Sequence, residues 1–168
     1  DWKAFTPTST WSTNVTHTGF YRRVGDSAEI EVYIAATGAT TAASLQINMP
    51  TGLVIDDTKV TINSTNKTFL GVGSFNDASA GQVQLAVREN TTILLDVVYL
   101  NVEATAQDAY SSFSNTAPST IASGDSVLLK FKVPIVGWSS NVEISSSADT
   151  RLVSARYSTN AGQAISDA

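Results

Sequence analysis

The stretch Ser126-Val-Leu-Leu-Lys-Phe-Lys-Val133 places an apolar side chain at every second position. Successive side chains of a β-strand point to opposite faces, so a spacing of two predicts a half-buried strand. The apolar face carries Val127, Leu129, Phe131 and Val133. The opposite face carries Leu128, Lys130 and Lys132. This stretch predicts a sheet with one face turned towards a core.

The same alternation recurs along the chain. It is clear over 27–35 and 82–88, shorter over 45–49, and further strands are expected at 16–24, 67–75, 93–102 and 150–157. Turn-forming residues such as Gly25 and Asp26 separate these runs. No window shows the spacing of three and four, with caps, that a helix requires. Eight or more short strands predict an all-β fold, specifically an antiparallel sandwich or jelly roll.

Length and composition limit the classes of function. A chain of 168 residues, 42% hydrophobic and 15% charged, is expected to fold as one domain. A net charge of −5 argues against binding nucleic acid through its phosphates. No apolar run approaches the roughly 20 residues that cross a bilayer, so no membrane insertion is expected. The absence of cysteine excludes disulfides and thiolate ligands.

No residue pattern predicts catalysis. His17 is the only histidine and lies in a predicted strand, so a structural role is favoured over a catalytic triad. Glu29 and Glu31 alternate with Ile and Val, which is typical of a solvated strand face rather than a glycosidase pair. Asp56 and Asp57 are interpreted as a turn, because no calcium-loop spacing surrounds them. We expect no catalytic residues, no metal and no cofactor.

The segment 93–100 is apolar on both faces, as in a strand covered on both sides. Either a loop of the same chain or an adjoining subunit supplies the second cover, and the subunit is the favoured reading. The predicted subunit interface consists of Leu94, Leu95, Val97 and Tyr99.

Segment 104–121 is polar and rich in small residues, which predicts a long surface loop. Sugars stack their C–H faces on aromatic rings and pair their hydroxyls with amides and carboxylates. The candidate ligand-binding rings are Tyr110, Phe113 and Trp138. Their candidate hydrogen-bonding partners are Asp108, Asn115 and Asn141. The alternative is that the rings anchor their loops or fill a seam between subunits.

Three segments resemble parts of the C-terminal domains of phage and prophage tail fibres and tailspikes. They are Trp2-Lys-Ala-Phe-Thr-Pro-Thr8, Gly19-Phe-Tyr-Arg-Arg-Val-Gly-Asp26 and Phe131-Lys-Val-Pro-Ile-Val-Gly-Trp138. The resemblance implies a homotrimeric jelly roll, similar to the complement-C1q and tumour-necrosis-factor fold, at the end of a fibrous trimer. Residues 1–12 are then a lead-in from an upstream shaft, and 13–168 a single β-sandwich domain. None of the three motifs is catalytic.

Together these expectations describe a non-catalytic tip of a phage tail fibre or tailspike, extracellular and carried on the virion tail. Its expected partners are two further copies of itself and a bacterial surface polysaccharide. The alternative is a purely structural trimerisation cap that binds no ligand.

Overall fold

The structure, a computed structural model, describes residues 1–63, 66–67, 69–101 and 109–138. In these ranges it contains β-strands and one short 3-10 helix, Asp57–Lys59, which confirms the predicted antiparallel all-β class. The strands are β1 (Lys3–Phe5), β2 (Val15–Val24), β3 (Ser27–Ala36), β4 (Gln46–Asn48), β5 (Ile62–Asn63), β6 (Asn66–Lys67), β7 (Phe69–Asp77), β8 (Gly81–Thr91), β9 (Leu94–Asn101), β10 (Ala109–Ser112) and β11 (Ser126–Pro134).

The segments in which apolar and polar residues alternate form long strands of the sheet. Predicted strands at 27–35, 82–88 and 126–133 lie within β3, β8 and β11. The burial of β11 alternates residue by residue, as its sequence does. The predicted strand at 150–157 lies outside the described residues.

The main sheet has the strand order β1-β2-β3-β11-β7-β8-β9-β10, with β4 also paired to β9, and every pairing is antiparallel. Strands β7, β8 and β9 follow one another, and β11 returns to lie beside β7. This order, β11-β7-β8-β9, is that of a Greek key.

The N-terminal segment connects the two ends of the sheet. Strand β1 pairs with β2 at one end, and a few residues later Ser9 bridges Ile47 of β4 at the other. The amide of Thr10 donates to the Gln46 carbonyl at 3.1 Å. Because β4 is hydrogen-bonded to β9, residues 3–10 close the sheet around a single core. Different parts of its inner face therefore pack against each other, as the two layers of a sandwich do.

Residues 1–12 are part of this domain, in contrast to the predicted lead-in. Trp11 is 1% exposed, and its indole Nε1 donates to the Ala43 carbonyl at 3.0 Å. Its ring packs against Phe113, with centroids 5.5 Å apart, and Phe113 packs against Phe75 at 5.0 Å. A segment that pairs with both ends of the sheet and buries an indole belongs to the fold.

The two-sided apolar strand is covered by its own chain at its centre. Leu95 and Val97 are at most 1% exposed and belong to the core, and Val98, on the opposite face, is fully buried. Assigning Leu95 and Val97 to a subunit interface was therefore wrong. The sheet closes on itself, with β8 on one side of β9 and both β4 and β10 on the other. Leu94 and Tyr99 are half-buried.

The described part of the predicted surface loop 104–121 is not a surface loop. It contains β10, and Phe113 and Ile121 are buried in the core. Backbone hydrogen bonds hold this part in place: the Phe113 amide donates to the Val97 carbonyl at 2.9 Å, and the Leu45 amide donates to the Phe113 carbonyl at 2.7 Å. This part of the chain is polar in composition because most of its residues form turns, and only a few, such as Phe113 and Ile121, are buried.

Candidate functional site

Those of the predicted sugar-binding residues that the structure describes do not form one accessible site. Phe113 is fully buried, so a sugar has no access to its ring and that assignment was wrong. Tyr110 is 44% exposed and contacts Phe69, with ring centroids 4.5 Å apart. Asn115 is half-buried, and its backbone N–H donates to the Ala43 carbonyl at 3.3 Å. Trp138 is half-buried beside Arg23. Asp108 and Asn141 lie outside the described residues.

Two adjacent arginines of β2 connect segments that are distant in sequence. The Arg22 guanidinium lies 4.6 Å from the Trp2 ring centroid, and that of Arg23 lies 5.1 Å from the Trp138 ring centroid. Neighbouring side chains on a strand point to opposite faces, so each arginine meets a different tryptophan. The three segments with fibre-tip resemblance therefore meet in space. A sequence signal for this contact existed in the Arg-Arg pair.

A second aromatic contact lies beside the first. Phe5 of β1 and Tyr21 of β2 pack edge to face, with centroids 5.8 Å apart and planes at 77°. Gly19 lies beneath them, and a Cβ at that position would be 2.5 Å from the Phe5 ring and 2.6 Å from Pro7. The absence of a side chain at Gly19 allows the N-terminal segment to approach β2 closely.

An open cleft of about 230 Å³ lies where this segment faces the turn after β4. None of its nine lining residues is charged: they are Ala4, Phe5, Thr6, Pro7, Thr8, Tyr21, Met49, Pro50 and Thr51. We call it the N-terminal cleft. Sequence reasoning missed it, because its walls come from three segments that only the closed sheet brings together.

The N-terminal cleft combines buried apolar residues with hydroxyl groups. Pro7, Met49 and Pro50 are buried, whereas Thr6 and Thr51 are exposed. The Thr8 hydroxyl accepts a hydrogen bond from the Asn48 side-chain amide at 3.0 Å. In the described part of the chain, the hydroxyls of Thr6, Thr51 and Tyr21 form no hydrogen bond with another protein group. These three groups are available to a ligand.

His17 has the environment of a structural histidine. Its Nε2 lies 2.8 Å from the Ser9 hydroxyl oxygen, and partial burial lowers the pKa of His17. The Ser9 hydroxyl donates to the Trp11 carbonyl at 2.9 Å and accepts from the Trp11 amide at 3.1 Å. Since that hydroxyl proton is already used, His17 acts as the donor to Ser9. The pair stabilises the turn before β2 and gives no activated nucleophile.

Glu29 and Glu31 each face a cation on the outer surface of the sheet. Glu29 lies 2.6 Å from Arg22 Nη2 and accepts a hydrogen bond from its Nε at 2.7 Å. Glu31 lies 2.9 Å from the Lys130 ammonium. Two carboxylates engaged by separate cations on one flat face do not flank a cleft, as a glycosidase pair would.

Asp56 precedes the single-turn 3-10 helix Asp57–Lys59 where the sequence predicted a turn, and its carboxylate faces the Lys59 ammonium. A hydrogen bond from the Thr58 hydroxyl lowers the pKa of Asp56, and the Lys59 ammonium lies 3.3 Å from its carboxylate. The same ammonium lies 3.4 Å from Asp26. Across the described ranges, no group of three or more His, Cys, Asp or Glu side chains is placed to hold a metal ion.

The outer face of strands β2, β3, β11 and β7 carries exposed apolar side chains. Phe20, Tyr33, Leu128 and Val72 are between 40% and 57% exposed. Tyr33 is paired with Leu128 across β3 and β11, while Phe20 is paired with Glu31, and Val72 with Lys130. The Glu31–Lys130 ion pair therefore lies between Phe20 and Val72. We call this surface the outer apolar face.

Comparisons of the chain with models of known protein families, with curated proteins and with solved structures found no match. Its function is therefore inferred from its residues and their geometry. Among the residues that the structure describes, no helix is both long and apolar enough to span a membrane.

Proposed function

We propose that this domain is the non-catalytic, receptor-binding tip of a phage tail fibre or tailspike, and that it recognises a bacterial surface polysaccharide. One observation carries the proposal: β2 joins the three segments that resemble fibre tips, through Arg22 on Trp2 at one face of the strand and Arg23 on Trp138 at the other, and its Tyr21 lines the uncharged N-terminal cleft. The tip is extracellular and is carried on the virion tail. The Greek-key order of β11-β7-β8-β9 supports a jelly roll of the C1q or tumour-necrosis-factor type.

A homotrimer is part of this proposal, and the outer apolar face supports it. Large apolar side chains grouped on one sheet face commonly mark an interaction surface. Glu31 and Lys130, which lie among these apolar side chains, are paired with each other, so a second copy would bury neither of them as a lone charge. Three linked copies raise the apparent affinity for a repetitive glycan by a factor of about 100 or more when joint engagement is allowed.

The absence of catalysis in the proposal is supported by the saturated Ser9 hydroxyl and by the ion pairs of Glu29 and Glu31. A hydrolytic tip requires an activated nucleophile or two carboxylates across a cleft. Neither arrangement occurs in the described part of the chain.

The test uses the whole chain, labelled with a fluorophore, on bacterial strains with intact, truncated or absent capsule and lipopolysaccharide. We expect binding that follows one surface polysaccharide, with no release of reducing ends. Binding that is independent of every surface glycan, or steady release of reducing ends, contradicts the proposal.

A second candidate function is a structural cap that holds three chains together and binds no ligand. The outer apolar face favours it, because such a face can pair subunits without any ligand. Light scattering on the same sample separates the two. A trimer that binds no strain in the panel supports the cap. A trimer that binds in a glycan-dependent way supports the receptor-binding tip.

A further inference from the structure

We infer that the N-terminal cleft binds a single uncharged sugar residue of the polysaccharide, and that it discriminates against acidic sugars. The inference rests on the proposed function and assigns it a site and a ligand class. It also moves the expected contact away from the pair Tyr110 and Phe113, since Phe113 is fully buried and cannot form a binding surface together with Tyr110.

The size of the cleft favours one sugar residue. A volume of about 230 Å³ is below the roughly 300 to 1,000 Å³ of pockets that enclose drug-sized ligands. The cleft is open on one side, so the neighbouring residues of a polysaccharide chain can remain in solvent. A site of this kind recognises one sugar residue of a polysaccharide with a repeating sequence.

Charge selects between neutral and acidic sugars. None of the lining residues carries a charge, so the carboxylate of a uronic acid would lose solvation there without gaining a cation. The two nearby arginines of β2 are already engaged, Arg22 by Glu29 and Trp2, and Arg23 by Trp138. Lys3, the register partner of Tyr21, is exposed to solvent and does not line the cleft. The chain also has a net charge of −5, which repels anions at longer range.

The lining groups match the two faces of a sugar. The rings of Phe5 and Tyr21 offer apolar surface to C–H groups, and their packing at 77° fixes both orientations. Thr6, Thr51 and Tyr21 carry hydroxyls that can donate or accept a hydrogen bond. They can therefore pair with a sugar hydroxyl whether it acts as acceptor or as donor. Pro7 and Pro50 are buried in the walls, and their fixed φ angles reduce the entropy that ligand binding costs.

The test is nuclear magnetic resonance titration of the whole chain with simple glycosides at millimolar concentrations. The probes are methyl glycosides of glucose, galactose and mannose, each compared with its uronic acid counterpart. We expect at least one neutral glycoside to shift the amide signals of Thr6, Thr8 and Thr51, and its uronic acid to shift them much less. Uronic acids that shift these signals equally, or neutral glycosides that shift none of them, overturn the inference.

Matched variants test the contacts. Thr6→Val and Thr51→Val remove exposed hydroxyls at nearly constant shape, and each is expected to weaken glycoside binding about two- to tenfold, as the loss of one neutral hydrogen bond does. Thr120→Val makes the same change at an exposed position outside the cleft and is expected to have no effect. Equal loss in all three variants, or no loss in the first two, contradicts the assignment.

Binding of the same variants to bacterial cells distinguishes failure of this inference from failure of the proposed function. If the parent binds cells in a glycan-dependent way and Thr6→Val and Thr51→Val bind equally well, the receptor function stands and the cleft is the wrong site. If the parent binds no strain and no glycoside, both fail. Signals that shift only around Tyr110 and Phe69 would place the site on the opposite end of the sheet order and overturn the cleft assignment.

Discussion

The guanidinium of Arg22 lies 4.6 Å above the ring of Trp2, and its Nε donates to Glu29 at 2.7 Å. One side chain thus joins the start of the chain to two neighbouring strands of the sheet. The Arg22–Glu29 pair is cross-strand, since the two residues are register partners in β2 and β3. The contact holds β1 beside the N-terminal cleft.

This geometry predicts a measurable coupling between Arg22 and Trp2. In a double-mutant cycle with Arg22→Gln and Trp2→Leu, we expect a coupling free energy of about 0.5 to 1 kcal/mol, the range for an exposed cation–π pair. Urea unfolding gives the four free energies of unfolding. The control cycle combines Trp2→Leu with Lys132→Arg, which shares no contact with Trp2 in the structure, and should show no coupling. Additivity in the first cycle would show that the stacking contributes nothing.

Close packing at Gly19 is expected to be essential for the N-terminal segment. Gly19→Ala places a methyl group against Phe5 and Pro7, so the segment must move outward. Overpacking of this kind costs about 1 to 3 kcal/mol, measured as a fall in the free energy of unfolding by urea. Gly38→Ala is the control, because the nearest atoms there belong to the Asn14 side chain at 3.2 Å and can shift. Equal stability of the two variants would contradict the prediction.

Acid should destabilise the domain through Asp77. Hydrogen bonds from the Ser79 and Ser119 hydroxyls and from backbone amides lower the pKa of Asp77 to about 2. Because the folded pKa is below the unfolded value, the stabilisation is fully present above about pH 4 and is lost as the pH falls towards 2. In urea titrations across this range, Asp77→Asn should be less stable than the parent at pH 7 and lose less stability on acidification. Asp57→Asn, at an exposed position, should follow the parent curve.

If the proposed trimer forms through the outer apolar face, a charge on that face should separate its subunits without unfolding them. Leu128 is 40% exposed in the single chain, so Leu128→Lys keeps its ammonium in solvent in the monomer but buries it in an oligomer. Light scattering is expected to change from a trimer to a monomer of 17.7 kDa, with an unchanged circular dichroism spectrum. Gln82→Lys, on an exposed position of β8, should leave the mass unchanged. A parent that is already monomeric at micromolar concentrations would refute the trimer.

The alternation of apolar residues determined the all-β class and the long strands. Over the central residues of β3, β8 and β11 the more buried and the less buried positions alternate, because each strand has one face on the core and one on the outer surface, and that pattern is local in sequence. The interpretation of Glu29, Glu31 and the Asp56 turn also needed only neighbouring residues. These predictions hold where the physical cause lies within a few residues of the pattern.

The tertiary structure alone decided which apolar residues outside these alternating strands are buried in the core. Phe113 and the pair Leu95 and Val97 were indistinguishable in sequence from exposed binding or interface residues, but closure of the sheet through residues 3–10 places them in the core. The same closure brings Tyr21 and Thr51 to one cleft, and the pairing of β1 with β2 brings Trp2 to Arg22. Burial depends on which distant strands meet, and hydrogen bonding between β-strands carries no strong sequence code for its partner, so these contacts emerge only when the sheet closes.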